Sequence, residues 1–198
     1  MAAPGRRPRD RIVFSAAQLI RRDGVAATGL RDVVEHAGAP RGSLQHYFPG
    51  GKEQLVNEAV EWAGGYAGGR IAWFVAGMRR PSPGRLFAAM VQQWLDDFSA
   101  NDFQAGCPVA AATVDCADGV ESTRAAASAA FQAWRAPIAD ALRDMGVPAR
   151  RAASTATLML SALEGAILIA RAEHDLRALQ VVARELGPML DGLVDPAS

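Results

Sequence analysis

The sequence predicts an all-α protein, and three observations predict it. Of its 198 residues, 50% are apolar but only 7% aromatic, and alternating Val, Ile and Thr runs are scarce, so intrinsic preference favours helix over sheet. Apolar residues recur at three- and four-residue intervals along most of the chain. Glycine and proline fall between these periodic segments, not inside a two-residue alternation. The expected organisation is an N-terminal three-helix unit of helix-turn-helix form followed by a larger helical body. The boundaries are a flexible arm at 1–9, the three-helix unit at 10–51, and the body at 52–198.

The arm is rich in Pro and Arg and has no apolar stretch that could act as a signal peptide, which points to a cytoplasmic address. From Asp10 to Asp23, Ile12, Val13, Ala16, Leu19 and Ile20 fall on one stripe, and Gly24 supplies a stop. A second helix is expected from Leu30 to Ala37, with Val33 and Val34 on its inner face, Thr28 placed to cap it and Gly38 to close it. Pro40 suits the first turn of a third helix, about Arg41 to Phe48, which Pro49, Gly50 and Gly51 end.

Two short helices joined by Gly38, Ala39 and Pro40 have the form of a helix-turn-helix, in which glycine permits the sharp bend. The second of them then reads the major groove. Leu44 and one aromatic of the Tyr47–Phe48 pair would face inward, leaving Arg41, Ser43, Gln45 and His46 for bases and phosphates. Spacing alone fits a generic three-helix packing unit equally well. Charge adds to the first reading. Residues 1–52 hold nine Arg and Lys against four Asp and Glu, so the rest of a chain of zero net charge is acidic. That excludes a simple polycation and suggests a nucleic-acid-facing module on a differently employed body, although a charge run is also simply a solvated face.

The stretch Gly38-Ala39-Pro40-Arg41-Gly42-Ser43-Leu44-Gln45-His46-Tyr47-Phe48, followed by Lys52-Glu53-Gln54-Leu55, closely resembles the N-terminal signature of the tetracycline-repressor (TetR) family from about Arg11 to Leu55. Pro49-Gly50-Gly51-Lys52-Glu53 and Gly106-Cys107-Pro108 are similar to the LmrA/YxaF-like branch. The resemblance implies a dimeric transcriptional regulator that binds double-stranded operator DNA and a small effector, with no cofactor. It implies phosphate contacts from Thr28, Ser43, Tyr47 and Lys52, and base reading by Arg41, Gln45 and His46. The Arg6, Arg7 and Arg9 arm could add minor-groove contact. The chain departs from the family where Gln45 replaces a frequent Tyr and Pro40 a frequent Ser, both positions that commonly touch DNA.

Beyond Lys52, Leu55, Ala59, Trp62, Ala63 and Tyr66 share one helical face before glycines intrude at 64, 65, 68 and 69. Each costs about 1 kcal/mol relative to Ala inside a helix. They mark either a flexing point or a close approach to a neighbouring helix. Further helices are expected over about 84–100, from near Cys107, and over about 120–145, 148–173 and 175–194. Large side chains at Trp62, Trp73, Phe74, Trp94, Phe103, Phe131 and Trp134 would fill a bundle. An aromatic stripe is more often core than pocket. The family nonetheless implies an effector cavity, and Trp94, Phe98, Phe131, Trp134 and Met159 are its candidate lining. The last two helices are apolar on more than one side, and the partner subunit is the expected cover for Leu158, Ser161, Ala162, Gly165, Leu168, Ile169, Leu179, Val182, Leu186 and Leu190.

Other chemistries find less support. Three histidines at positions 36, 46 and 174 have no metal-ligand spacing, so no metal is expected. Asp96-Asp97, and Asp115 with Asp118, read as solvated turns or caps, and no catalytic set emerges. Cys107 and Cys116 could form a thiol-based redox sensor, the main alternative to an effector-driven regulator; buried structural cysteines are the simpler reading. The 19 residues between Arg151 and Arg171 carry only Glu164 as a charge. A central charge would cost roughly 2.5 to 3.5 kcal/mol in a bilayer, which favours a buried or interfacial helix over a membrane span.

Overall fold

A computed structural model describes residues 7–40, 42–115 and 120–194; among them the ordered elements are helices, with no strand. These are α1 (Pro8–Ala27), α2 (Leu30–His36), α3 (Ser43–Tyr47), α4 (Gly51–Ala76), α5 (Pro83–Asn101), α6 (Pro108–Asp115), α7 (Glu121–Asp144), α8 (Ala149–Glu173) and α9 (Arg177–Asp191). Cys116 and Asp118 lie outside the described residues.

The chain divides into two compact units, neither of them continuous in sequence. The first joins the residues up to Gly65 with Ala105–Phe131, and the second joins Tyr66–Gln104 with the residues from Gln132 onward. This differs from a division at residue 51. The reason is α6, which packs along α1, and the first turns of α7, which bond to α4. Asn57 donates to Ser122 Oγ at 3.0 Å, and Thr123 donates to Asn57 Oδ1 at 2.7 Å. Ser122 in turn bonds to Glu53. Helices α4 and α7 each begin in the first unit and end in the second.

In the first unit the expected stripe of α1 is buried, with Ile12 and Ile20 fully inaccessible, and Leu55, Val56 and Val60 of α4 are buried as well. Gly24 does stop the regular helix, with φ 85° and ψ 170°, but one further turn follows it before Thr28. A left-handed φ of that kind is a position glycine alone occupies cheaply. Pro8 starts α1 two residues before the expected boundary, since proline's fixed φ suits a first turn.

The second unit is built on α5, α8 and α9. Ser82 caps α5 by accepting from the Arg85 N–H, and Pro83 takes the first helical position. Asp191 of α9 accepts the Gly84 N–H at 2.7 Å, and a Cβ on Gly84 would lie 2.5 Å from the Gly187 carbonyl oxygen. The two backbones meet because Gly84 lacks a side chain; a Cβ on Gly187 would have open space. Phe87, Phe98, Met159, Leu163 and Ile167 form the dry centre.

The four glycines of α4 divide by face. A Cβ on Gly64 would lie 2.5 Å from the Cα and the carbonyl oxygen of Ala130, and one on Gly68 would collide with the Ala133 carbonyl. Gly65 and Gly69 have open space. Gly64 and Gly68 are therefore sites of close approach to α7, and α4 runs through all four as a continuous helix.

Candidate nucleic-acid interface

The turn between α2 and α3 is set by a glycine in the left-handed region. Gly38 has φ 58°, and with it the Gly38 N–H donates to the Glu35 carbonyl and the Ala39 N–H to the Val34 carbonyl. This paired pattern closes α2 and redirects the chain within one residue. Ala39 and Pro40 follow, and the Ser43 N–H bonds back to the Pro40 carbonyl at 2.9 Å to begin α3.

Helix α3 is short, and Ser43–Tyr47 is narrower than the expected span from Arg41 to Phe48. Phe48 is its cap and its main anchor, 2% exposed, with Leu44 half-buried. Gln45 and His46 are exposed side by side, while Ser43 and Tyr47 are half-buried. The His46 and Tyr47 rings meet edge to face, with centroids 4.7 Å apart. Arg41 lies outside the described residues. An amide and an imidazole presented together on one helix can read the edges of neighbouring bases, with the amide suited to adenine.

The expected phosphate donors are arranged less simply. Thr28 is buried, and its hydroxyl donates to the Gly24 carbonyl at 2.6 Å instead of capping α2, whose N-cap is Gly29 with no side-chain bond. Rotation about the Gly24 break turns that side chain inward. Lys52, at the start of α4, donates to the Ala26 carbonyl at 3.2 Å and ties α4 to the last turn of α1. Of the basic arm, Arg6 lies outside the described residues and Arg9 is part of α1. The Arg9 guanidinium pairs with Glu58 at 2.6 Å and stands 5.3 Å from the centre of the Phe48 ring. Arg9 thus braces the anchor of α3. Sequence reading missed that role, since it depends on a glutamate 49 positions downstream.

A model of bacterial regulatory proteins of the tetR family matches residues 12–59, and a model of the C-terminal domain of LmrA/YxaF-like transcriptional regulators matches residues 83–185. The chain belongs to the TetR family. It is 42% identical over 188 residues to the uncharacterized HTH-type transcriptional regulator Rv0196 of Mycobacterium tuberculosis, covering 92% of this chain and 94% of that one. It is 32% identical over 161 residues to the HTH-type transcriptional regulator LmrA of Bacillus subtilis, covering 81% and 85%. In fold it is similar to a TetR transcriptional regulator from Legionella pneumophila, with a TM-score of 0.80 at 19% identity over 95% of this chain and all of that one. As a TetR-family protein of the LmrA/YxaF-like type it is a DNA-binding transcriptional regulator, and the relatives carry names of regulators, not enzymes.

The remaining candidates of this TetR-family chain sort by burial. Trp94, Phe98, Trp134 and Met159 are buried in the second unit, whereas Phe131 is half-buried and belongs to the first. The Trp94 and Phe98 rings meet at a tilt of 52° with centroids 5.9 Å apart, and Phe98 packs on Phe103 at 5.2 Å. A cleft of about 590 Å³ lies elsewhere, lined by Arg9, Asp10, Val13, Glu58, Glu61 and Trp62. On α8, Leu158, Leu168 and Ile169 are 50, 56 and 50% exposed. Ser161 is exposed, and Ala162 and Gly165 are half-buried, as are Val182 and Leu186 of α9. Leu179 and Leu190 depart from the expected subunit interface. They are buried within the chain itself because α9 turns that face onto α5 and α8, so neither is free to meet a partner.

Cys107 is buried. Among the described residues no group of three or more His, Cys, Asp or Glu side chains is placed to hold a metal. Helix α8 is long and apolar enough by composition to cross a membrane, but its inner face, with Met159, Leu163 and Ile167, is core.

Proposed function

We propose that this protein is a homodimeric, cytoplasmic repressor that holds a palindromic operator and is released from it by a small hydrophobic or aromatic effector. One observation carries the reading: Leu158, Leu168 and Ile169 stand half or more exposed on α8, whose opposite face is buried. Large apolar side chains gathered on one helix favour a second apolar surface, and the open space over Gly165 admits a close neighbour. A two-fold pair built there presents α3 twice, and half-sites one helical turn apart, roughly 34 to 36 Å or a multiple of it, make the operator palindromic.

Each head is positioned by phosphate contacts, to which Lys52, Ser43, Tyr47 and the Thr28 region contribute, and reads bases through Arg41, Gln45 and His46. The effector is proposed to bind in the second unit among Trp94, Phe98, Trp134 and Met159, which are buried and would have to part to admit a flat apolar molecule. Release requires that the effector bind the non-binding conformation more tightly, because a ligand indifferent to two states shifts neither.

The test begins with the genomic sites captured by the tagged protein and proceeds to titrations on the recovered sequence. Lys52→Ala should weaken binding to every duplex alike and flatten the slope of log affinity against log salt by about 0.9. An unchanged slope removes Lys52 from the phosphate contacts. Gln45→Ala should relax preference at one base position per half-site, by about 1 to 3 kcal/mol, and leave the salt slope intact. Equal loss on all operator variants would assign Gln45 a positioning role instead.

A further inference from the structure

The Gly-Cys-Pro motif and the end of α6 converge on one broken hydrogen bond of α1. In an unbroken helix the Val25 N–H would donate to the Arg21 carbonyl four residues back. At Gly24 the backbone leaves the helical region, and both halves of that bond are taken up by α6 and the residues leading into it. The Arg21 carbonyl accepts the Gly106 N–H at 2.8 Å, and Arg21 Nε donates to the Gly106 carbonyl at 3.0 Å. Asp115, the last residue of α6, accepts the Val25 N–H on Oδ2 at 2.6 Å, with the Ala26 N–H 3.5 Å from the same oxygen. A Cβ on residue 24 would lie 2.7 Å from that oxygen. The glycine therefore supplies both the turn and the room for the carboxylate.

The capped turn is where the reading head is assembled. The Gly24 carbonyl holds the Thr28 hydroxyl, the Ala26 carbonyl holds Lys52, and α2 starts at Leu30. We infer that Asp115 is a positioning residue for DNA recognition: its carboxylate replaces the missing acceptor of α1 and so fixes the turn from which α2, Thr28 and the Lys52 tether take their places. This rests on the reading of the first unit as the DNA-binding head.

Charge and position predict opposite signs, which makes the inference testable. Asp115→Ala and Asp115→Asn each remove one negative charge, and by electrostatics alone both should tighten binding to DNA. As a cap, Asn still offers an oxygen to the Val25 N–H and Ala offers none. Operator and random duplexes are titrated well below the unfolding temperature, with amide hydrogen exchange followed at Val25 and Ala26. Asp115→Ala is expected to lose about three- to tenfold in operator affinity, with little loss on random duplex, and to speed exchange at those two amides. Asp115→Asn should stay within about threefold of the wild type.

Tighter operator binding by both variants would overturn the inference, as would an Ala variant whose operator-to-random ratio is unchanged. A wild-type chain that binds operator while Val25 and Ala26 exchange at the same rate in all three proteins would overturn it alone. A wild-type chain that binds no DNA overturns the head assignment and this inference with it.

Discussion

Gly64→Ala combined with Gly68→Ala is expected to destabilise the protein by at least about 2 kcal/mol, and Gly65→Ala combined with Gly69→Ala to stabilise it by about 1 to 2 kcal/mol. All four residues lie inside α4, so each alanine gains the same helix preference, close to 1 kcal/mol. They differ in what the added methyl meets. At Gly64 and Gly68 it meets the backbone of Ala130 and Ala133, which cannot rotate aside, and at Gly65 and Gly69 it meets open space. Overpacking costs about 1 to 3 kcal/mol per site and more where the obstacle is main chain, so it outweighs the propensity gain at the first pair only. Urea unfolding of the two double variants measures both. A shift in the same direction for both pairs would refute the face-by-face account.

The other large effect concerns assembly. Leu168→Glu with Ile169→Glu should convert the proposed dimer to a monomer and reduce operator affinity by more than about a hundredfold, while far-ultraviolet circular dichroism stays close to wild type and the unfolding midpoint falls and loses its dependence on protein concentration. Each apolar side chain of this size contributes about 1.5 to 3 kcal/mol when buried. A two-fold interface counts every substitution twice, and the introduced carboxylates would also have to be desolvated against one another. Both positions are at least half exposed in the single chain, so the fold itself loses little. Sedimentation equilibrium gives the mass. A variant that remains dimeric would move the interface away from this face of α8.

Much of this was legible in the chain because local rules and tertiary context agreed. Gly38 needed a positive φ, Pro40 could not continue a helix, and the Ile12–Ile20 stripe had only one side to bury, so α1 to α3 could be placed to within a few residues. The failures share one cause. Thr28 looked like a cap because Ser and Thr before an apolar run usually are, but the Gly24 break turned it inward onto a carbonyl. Leu179 and Leu190 looked available because α9 is apolar on several sides, and only its packing on α5 and α8 shows which side the chain uses. Arg9 with Glu58, and Asp115 with Val25, pair residues 49 and 90 positions apart. No periodicity in one sequence signals such pairs.

The discontinuous make-up of the first unit bears on how the protein is made and how it could be cut. Its N-terminal helices leave the ribosome long before α6 and the start of α7, whose partners for Arg21, Val25, Asn57 and Glu53 come only with residues 106–123. A nascent head is thus unfinished until more than half the chain has been translated. A graft of the first fifty residues onto a foreign effector module would transplant the reading helix without its brace, and a workable chimera must carry the chain up to Gly65 and Ala105–Phe131 as well.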